Sequence, residues 1–378
     1  MNNLSFDALH ALLDSVFALQ SEERWLSILV DLPDARVPDH EAWADRRRIA
    51  AEWHEQLSEH AARLPFTSIA LCVYPNVGSN NNDLPDTATR VTGMAAYSLV
   101  PSGEVLPFAT ILQSSSVVLA PTEMSATAPL KLLARQHGFR GATLPGFSRA
   151  MIPVLALDYE RVNARVLEFK TRMDRAESIS VRLEANGTRH TTFFDLRFRT
   201  GHASGGLMRE PGTVGNLPSG EAYIVPYEGE RQTEPSRTSG TLPVQFENEI
   251  VVYRIEENRA VEVLSAGPRS AQEAERLRVE PAYGNMAEVG IGVLGEWGVK
   301  AVGSTLLDEK LGLHVAFGRS DHFGGVTSPA SFRDRDAVVH IDRVYVPSTQ
   351  PAVSVIEVAF HYPGGSRERI IEHGRYVV

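Results

Sequence analysis

The sequence predicts an α/β N-terminal domain built on a mainly parallel sheet, followed by an α+β, β-rich metal-binding domain. Three observations lead there. Strand-like and helix-like stretches alternate through the first half, strands arrive as hairpins from Ser178 onward, and acids and histidines gather between Glu221 and Asp342.

The elements follow in order. Phe6, Leu9, Leu12, Leu13, Val16 and Phe17 recur at helical spacing with Asp7 and Asp14 between them, which predicts an amphipathic surface helix. The same stretch lacks a basic leader region, so it does not read as a signal peptide. RWLSILVDLP is a short apolar run closed by Pro33 and predicts a strand. HEAWADRRRIAAEWHEQLSEHAARL predicts a long helix, SIALCVYPNV a strand and GSNNNDLPDT a loop of turn formers. SSSVVLAPT (strand), APLKLLARQHGF (helix), GATLPGF (strand) and a helix from Tyr159 to Arg175 complete the half. Strands separated by helices imply parallel pairing with helical crossovers.

From about Ser178 the pattern changes. SISVRLEANGTRHTTFFDLRFRTG holds two alternating runs around Asn186-Gly187, a strong short hairpin signal. EIVVYRIEENRAVEVLSAG repeats this with Glu257-Asn258 at the bend, and VSVIEVAFHYPGGSRERIIEHGRYVV does so around Pro363-Gly364-Gly365. We place a boundary near residue 180, giving domains 1–180 and 181–378.

Composition sets outer bounds. A chain of 378 residues suggests two domains or one large one, and 43% hydrophobic with 22% charged residues is an ordinary globular balance. The formal charge of −10 does not suit phosphate-backbone binding, so no nucleic-acid partner is expected. No apolar run approaches the ~18 residues of a membrane span, and a cytoplasmic location is the expectation. Cys72 is the single cysteine. It excludes a disulfide within the chain, nearly excludes a thiolate metal site, and reads as a small buried hydrophobe.

Five stretches carry candidate chemistry. GNLPSGEAYIVP presents Glu221 at the start of an apolar run, and YGNMAEVGIGVLG sets Glu288 among small residues. LLDEKLGLHVAFG holds Asp308, Glu309, Lys310 and His314, RSDHFGG holds Asp321 and His322, and AVVHIDRVYV holds His340 and Asp342. In a strand, residues i and i+2 share a face, so His340 and Asp342 project together while Val339 and Ile341 point away. Imidazole with carboxylate suits Zn, Mn, Co or Fe. Each stretch also has a plainer reading. Glu221 fits a solvated acid after a turn, DEK an exposed charged turn, His314 a hydrogen-bonded core histidine, and His-x-Asp a buried pair holding a strand in register. Their grouping, with three histidines in a short stretch flanked by acids, favours a metal site.

NLPSGE, N-x-A-E from Asn285 to Glu288, DEK followed by G-x-HVAFG, then Gly-Gly and H-x-D occur in this order, and the chain thereby resembles the leucyl aminopeptidases of the aminopeptidase T type. The resemblance covers roughly the last half, from FFDLRF to HIDRVYV. That family consists of metallopeptidases with a pair of divalent ions. Carried over by position, it implies that Glu221, Glu288, His314, His340 and Asp342 are metal ligands, with Glu309 a sixth. It also implies one or two divalent ions (Zn, Co, Mn or Fe), a peptide or small-molecule amide as substrate, and a homodimer. The family pattern runs on from the histidine motif to a catalytic tyrosine, and here Asp321 and His322 take that place.

On the hydrolase reading the metal site lowers the pKa of a water and polarises the scissile carbonyl. His322 or a carboxylate moves the proton, Lys310 faces the oxyanion or a structural ion-pair partner, and Asp321 or a metal binds the substrate amine. Two other readings stand beside it. A ring-cleaving iron dioxygenase acting on 2,5-dihydroxypyridine is similar to this family and uses two histidines and one carboxylate. Asp321-His322 and the RTGHASGG segment with His202 also fit a non-catalytic peptide-binding descendant.

Overall fold

The computed structural model describes residues 3–91 and 102–378. Two compact units divide the chain: Met1–Asn163 with Ser204–Ser219, and Ala164–Ala203 with Gly220–Val378.

The first unit contains the alternating half of the sequence. Helix α1 (Phe6–Phe17) is capped by the Ser5 side chain and buries Phe6, Leu9, Leu12, Leu13, Val16 and Phe17, the residues whose spacing predicts it. Strand β1 (Glu23–Leu32) is followed by α2 (Glu41–Glu59), β2 (Phe66–Pro75), β3 (Thr87–Val91), β4 (Gly103–Pro107) and α3 (Phe108–Ser114). Then come β5 (Ser115–Ala120), α4 (Thr127–His137) and β6 (Arg140–Thr143). Among the described residues these strands form a seven-stranded sheet in the order β10-β6-β5-β1-β2-β3-β4, with β10 at Val214–Asn216.

Pairing between β10 and β2 is parallel throughout, and β3 and β4 add an antiparallel edge. From Leu26 to Leu32 strand β1 is buried on both faces, as an apolar run in a parallel sheet must be. Cys72 is fully buried in β2, and burial pushes its thiol up to about 12, so it is a packing residue at neutral pH. Predicted helix 40–64 stops at Glu59 and continues as a short 3₁₀ turn, and GATLPGF is extended only over its first residues.

Among the described residues the second unit carries two antiparallel sheets. Helix α5 (Tyr159–Arg175) belongs to it from Ala164 onward, and β7 (Ser178–Ala185) and β8 (Thr188–Asp195) form the predicted hairpin. Asn186 (φ 50°) and Gly187 (φ 73°) make its left-handed turn. Among the described residues an eight-stranded sheet runs β14-β13-β12-β8-β7-β18-β19-β20. Its other strands are β12 (Ser239–Phe246), β13 (Glu249–Glu256), β14 (Arg259–Val263), β18 (Val353–His361), β19 (Arg367–Glu372) and β20 (Arg375–Tyr376). Strand β12 tolerates Pro243 because pairing with β8 involves only Ser239 and Gly240, which leaves the proline nitrogen without a ladder partner to lose.

Among the described residues a five-stranded sheet in the order β17-β16-β15-β11-β9 supplies the floor of the site. It consists of β9 (His202–Ser204), β11 (Glu221–Ile224), β15 (Met286–Gly292), β16 (Leu313–Gly318) and β17 (His340–Val344). Helices α6 (Pro268–Val279) and α7 (Thr305–Asp308) lie in the connections. Among the described residues no helix is long and apolar enough to cross a membrane.

At Gly187 an added Cβ would meet nothing within 4 Å, so only backbone conformation opposes a side chain there. Gly187→Ala is expected to lower unfolding free energy by about 1 kcal/mol, read from urea denaturation, with the fold retained.

Candidate metal centre

The cross-strand register explains how distant residues meet. Directly opposed residues of an antiparallel sheet share a face. Glu221 lies opposite Gly292 and Tyr223 opposite Gly290. Gly290 in turn faces His314, and Glu288 faces Ala316. Ala316 faces Asp342, and Gly318 faces His340. One face therefore carries Glu221, Tyr223, Glu288, His314, His340 and Asp342, with glycine or alanine at the positions between them. The opposite face carries Ala222, Ile224, Val289, Ile291, Leu313, Val315 and Phe317, all buried.

The small residues are a steric requirement. A Cβ at Gly290 would stand 2.1 Å from His314 Nε2, because the imidazole lies across that position. A Cβ at Gly292 would stand 2.1 Å from the Lys310 carbonyl carbon, so this glycine lets the Glu309–Lys310 backbone approach the sheet.

The side chains converge. Glu288 Oε1 is 3.1 Å from His314 Nε2, and its Oε2 is 3.5 Å from His340 Nε2. Glu221 Oε2 is 3.4 Å from His314 Nε2, and Asp342 Oδ1 is 3.7 Å from His340 Nε2. Two groups have ligand atoms all within 4.8 Å of one another, namely Glu221, Glu288 and His314, and Glu288, His340 and Asp342. Glu288 belongs to both.

Two features fit a cation. His314 Nδ1 lies 3.3 Å from the Gly312 carbonyl and His340 Nδ1 lies 2.8 Å from the Arg319 carbonyl. A carbonyl only accepts, so each Nδ1 carries a proton and each Nε2 faces the acids, the arrangement in which imidazole ligates. Glu221 Oε2 is buried without a hydrogen-bond partner. An orphaned carboxylate oxygen in a set of carboxylates and imidazoles matches the donor chemistry of a divalent ion.

Electrostatics show how the cluster is balanced. Lys310, 1% exposed, donates to Glu221 Oε1 at 2.7 Å and also pairs closely with Glu309. Burial alone pushes its ammonium down, but the two acids more than offset that and raise it. Burial pushes the Glu288 carboxyl up, yet hydrogen bonds from His314 and His340 hold it below its ordinary value. Burial likewise opposes charge on Asp342, and His340 more than offsets it. Burial disfavours the His314 cation, but Glu288 and Glu221 raise it to about 9, and His340 is raised by Asp342 and Glu288 in the same way. Glu309 is raised, first by burial and then by Glu221 and Asp342 in spite of Lys310.

No protein-family profile and no curated protein matches this chain by sequence. Solved structures do share its fold. The 2,5-dihydroxypyridine dioxygenase of Pseudomonas putida KT2440 is similar with a TM-score of 0.60 and 13% identity, over 99% of this chain and 98% of that one. Wild-type AmpT of Thermus thermophilus is similar with a TM-score of 0.56 and 15% identity, over 99% of each chain. At these identities the likeness concerns the fold alone.

The remaining candidates lie at the edge of the cluster. Glu309 is in neither ligand group, and its carboxylate lies against Lys310. Asp308 is buried and accepts from the backbone of Val302 and Gly303, a capping role. The carboxylate of Asp321 is held by Arg319 at 2.5 Å. The His322 ring packs edge-on against His340 with centroids 5.2 Å apart, and burial, His340 and Arg319 push it down to about 4. His202 Nε2 meets the Phe323 carbonyl at 2.8 Å and its ring stacks on Tyr223.

Two residues that the sequence reading did not single out complete the surroundings. Tyr223, two residues from Glu221 in β11, reaches the same face by the period-2 rule. Glu228 binds the loop that carries His322. It accepts from Asn285 Nδ2 (2.7 Å), Ser320 Oγ (2.8 Å), Thr327 Oγ1 (2.8 Å) and Val326 N (2.5 Å), and pairs with Arg199 at 3.2 Å. No local pattern marks it, since its partners are scattered through the sequence.

Gly290→Ala is expected to displace His314 and lower stability by about 1–3 kcal/mol through overpacking, measured by chemical denaturation. Stability within 0.5 kcal/mol of the parent, on the order of a neutral surface substitution, refutes this account of Gly290.

Proposed function

We propose that this chain is a metal-dependent hydrolase of peptide or amide bonds, with Glu221, Glu288 and His314 holding one divalent cation and Glu288, His340 and Asp342 a second. The single observation that carries the reading is Glu288, whose two oxygens reach two separate imidazoles and so join two ligand groups. The fold shared with AmpT supports it. Cations held there supply Lewis acidity toward a carbonyl and lower the pKa of a water.

The chain's own residues do the rest. Lys310 donates to Glu221 Oε1 and so orients that carboxylate. His322, neutral at pH 7 and with Nδ1 3.7 Å from Asp321, is placed beside His340 to accept a proton. The paired register of β11, β15, β16 and β17 fixes where the ligands stand, which favours a preorganised site.

A second reading is favoured by one observation. Two histidines with an acid also make the set of a mononuclear iron oxygenase, and the fold is shared with a dihydroxypyridine dioxygenase. Two of the three acids, Glu221 among them, are superfluous to such a site.

Elemental analysis of protein purified without added metal, followed by assays on L-leucine p-nitroanilide and a peptide panel, tests the choice. Two divalent ions per chain and amide hydrolysis are expected, and one iron per chain with oxygen-dependent turnover overturns the hydrolase. Glu288→Ala is expected to lose metal and to cut turnover more than ~100-fold, beyond the cost of losing an outer-shell partner.

Ligand atoms must shed protons to take a cation. His314 is raised to about 9 in the metal-free chain, so below that pH its proton competes with the metal. Cation uptake is therefore expected to release protons, and affinity to rise from about pH 6 to about pH 9, by calorimetry in two buffers of different ionisation heat.

A further inference from the structure

One hydroxyl beside the cluster has no hydrogen-bond partner among the described residues. The second unit contains six tyrosines besides Tyr223, and each has a partner for its hydroxyl. Tyr227 bonds the Glu234 carbonyl, Tyr253 and Tyr283 bond Glu273, Tyr345 bonds the Pro243 carbonyl, Tyr362 bonds Glu368 and Tyr376 bonds the Gly292 carbonyl. Tyr223 has ring contacts and no hydrogen bond. Tyr223 is half-buried and its hydroxyl is not among the buried atoms that lack a partner, so the phenol is left open to solvent or to a ligand beside the cluster.

Its position says which ligand. Tyr223, Gly290 and His314 form one row across β11, β15 and β16, and the His314 ring leans over Gly290 from the far side. The Tyr223 ring is fixed between His202, stacked at 5.1 Å and 20°, and Phe323, edge-on at 5.0 Å. Glu221, two residues away in β11, and Glu288 stand on the same face as Tyr223 and His314. An ordinary phenol is neutral at pH 7 and donates one hydrogen bond.

We propose that the Tyr223 hydroxyl donates a hydrogen bond to the substrate oxygen that gains negative charge beside Glu221, Glu288 and His314, making Tyr223 a catalytic residue. This rests on the hydrolase reading. The phenol keeps its proton throughout; it stabilises charge by position, as a preorganised donor aimed where charge develops. Among the described residues of the face it is the one neutral donor, since Lys310 is taken up by two acids and both histidines face carboxylates.

The test uses the full chain loaded with divalent metal, as wild type and Tyr223→Phe, which keeps the ring against His202 and Phe323. The first measurement is calorimetric binding of the phosphonic acid analogue of leucine, whose tetrahedral oxygens imitate the charged adduct. The second is hydrolysis of L-leucine p-nitroanilide. Tyr223→Phe is expected to keep its metal content, to bind the phosphonate about tenfold more weakly, and to lose about a hundredfold in kcat with KM within about threefold. Phosphonate affinity within twofold of wild type overturns the donor role, as does a wild type that binds no phosphonate. A wild type that holds metal and phosphonate but cleaves neither the anilide nor peptides overturns the hydrolase reading alone, because the phosphonate arm still reads the Tyr223 donor.

Discussion

Glu288 stands between His314 and His340, and the rest of the site depends on that sharing. A carboxylate 4% exposed is costly unless donors surround it, and here two imidazoles from different strands do so. No single strand can deliver them, since a strand brings together only i and i+2. The antiparallel register of β15, β16 and β17 therefore has to be right to the residue, and a slip by one would send every ligand to the apolar face. Glycine or alanine at 290, 292, 316 and 318 is the other half of the constraint. Large polar side chains can lie across the sheet only where their opposite numbers leave room.

Concentrating acids in one place has a second consequence. Glu221, Glu288, Glu309 and Asp342 are mutually repulsive, and Lys310 provides one fixed positive charge, spent on Glu221 and Glu309. His314 and His340 are driven toward their cationic forms by the acids around them. Protons on the imidazoles thus stand where cations are proposed, and the exchange of one for the other links metal uptake to pH. Lys310 has a different place in this balance from the one a catalytic lysine needs, because both neighbours already hold its ammonium.

Local rules made the fold and part of the site legible. Helix α1 follows from apolar spacing alone, Asn186-Gly187 from turn chemistry, and the shared face of His340 and Asp342 from the period of a strand. The edge formed by β3 and β4 was less legible because short strands with exposed faces carry no strong alternation. Strand β12 was obscured by Pro243. Convergence of Glu221 and Glu288 on His314 lies beyond spacing, since it depends on which strands become neighbours, and only the ordered motifs of a resemblance pointed to it. Tyr223 was within reach, being two residues from Glu221 in a strand. Glu228 was not, because its partners Asn285, Ser320, Val326 and Thr327 meet only after folding.

The site has a floor and a rim built on different principles. Paired strands make the floor, where each ligand is held by register. A loop makes much of the rim, with His322 and Phe323 fastened through Glu228 to Ser320, Val326 and Thr327. Such a division lets one floor serve different chemistries as rim residues change, and a shared fold therefore says little about the reaction. Within the floor, Glu221 is the residue on which the two readings divide. With it, Glu288 is common to two ligand groups and a pair of cations has a place. Without it, His314, His340, Glu288 and Asp342 remain, two histidines and two acids, already more than one metal held by two histidines and one acid needs. Its orphaned oxygen, aimed at His314 and 3.4 Å from it, is the feature that a one-metal site leaves unexplained.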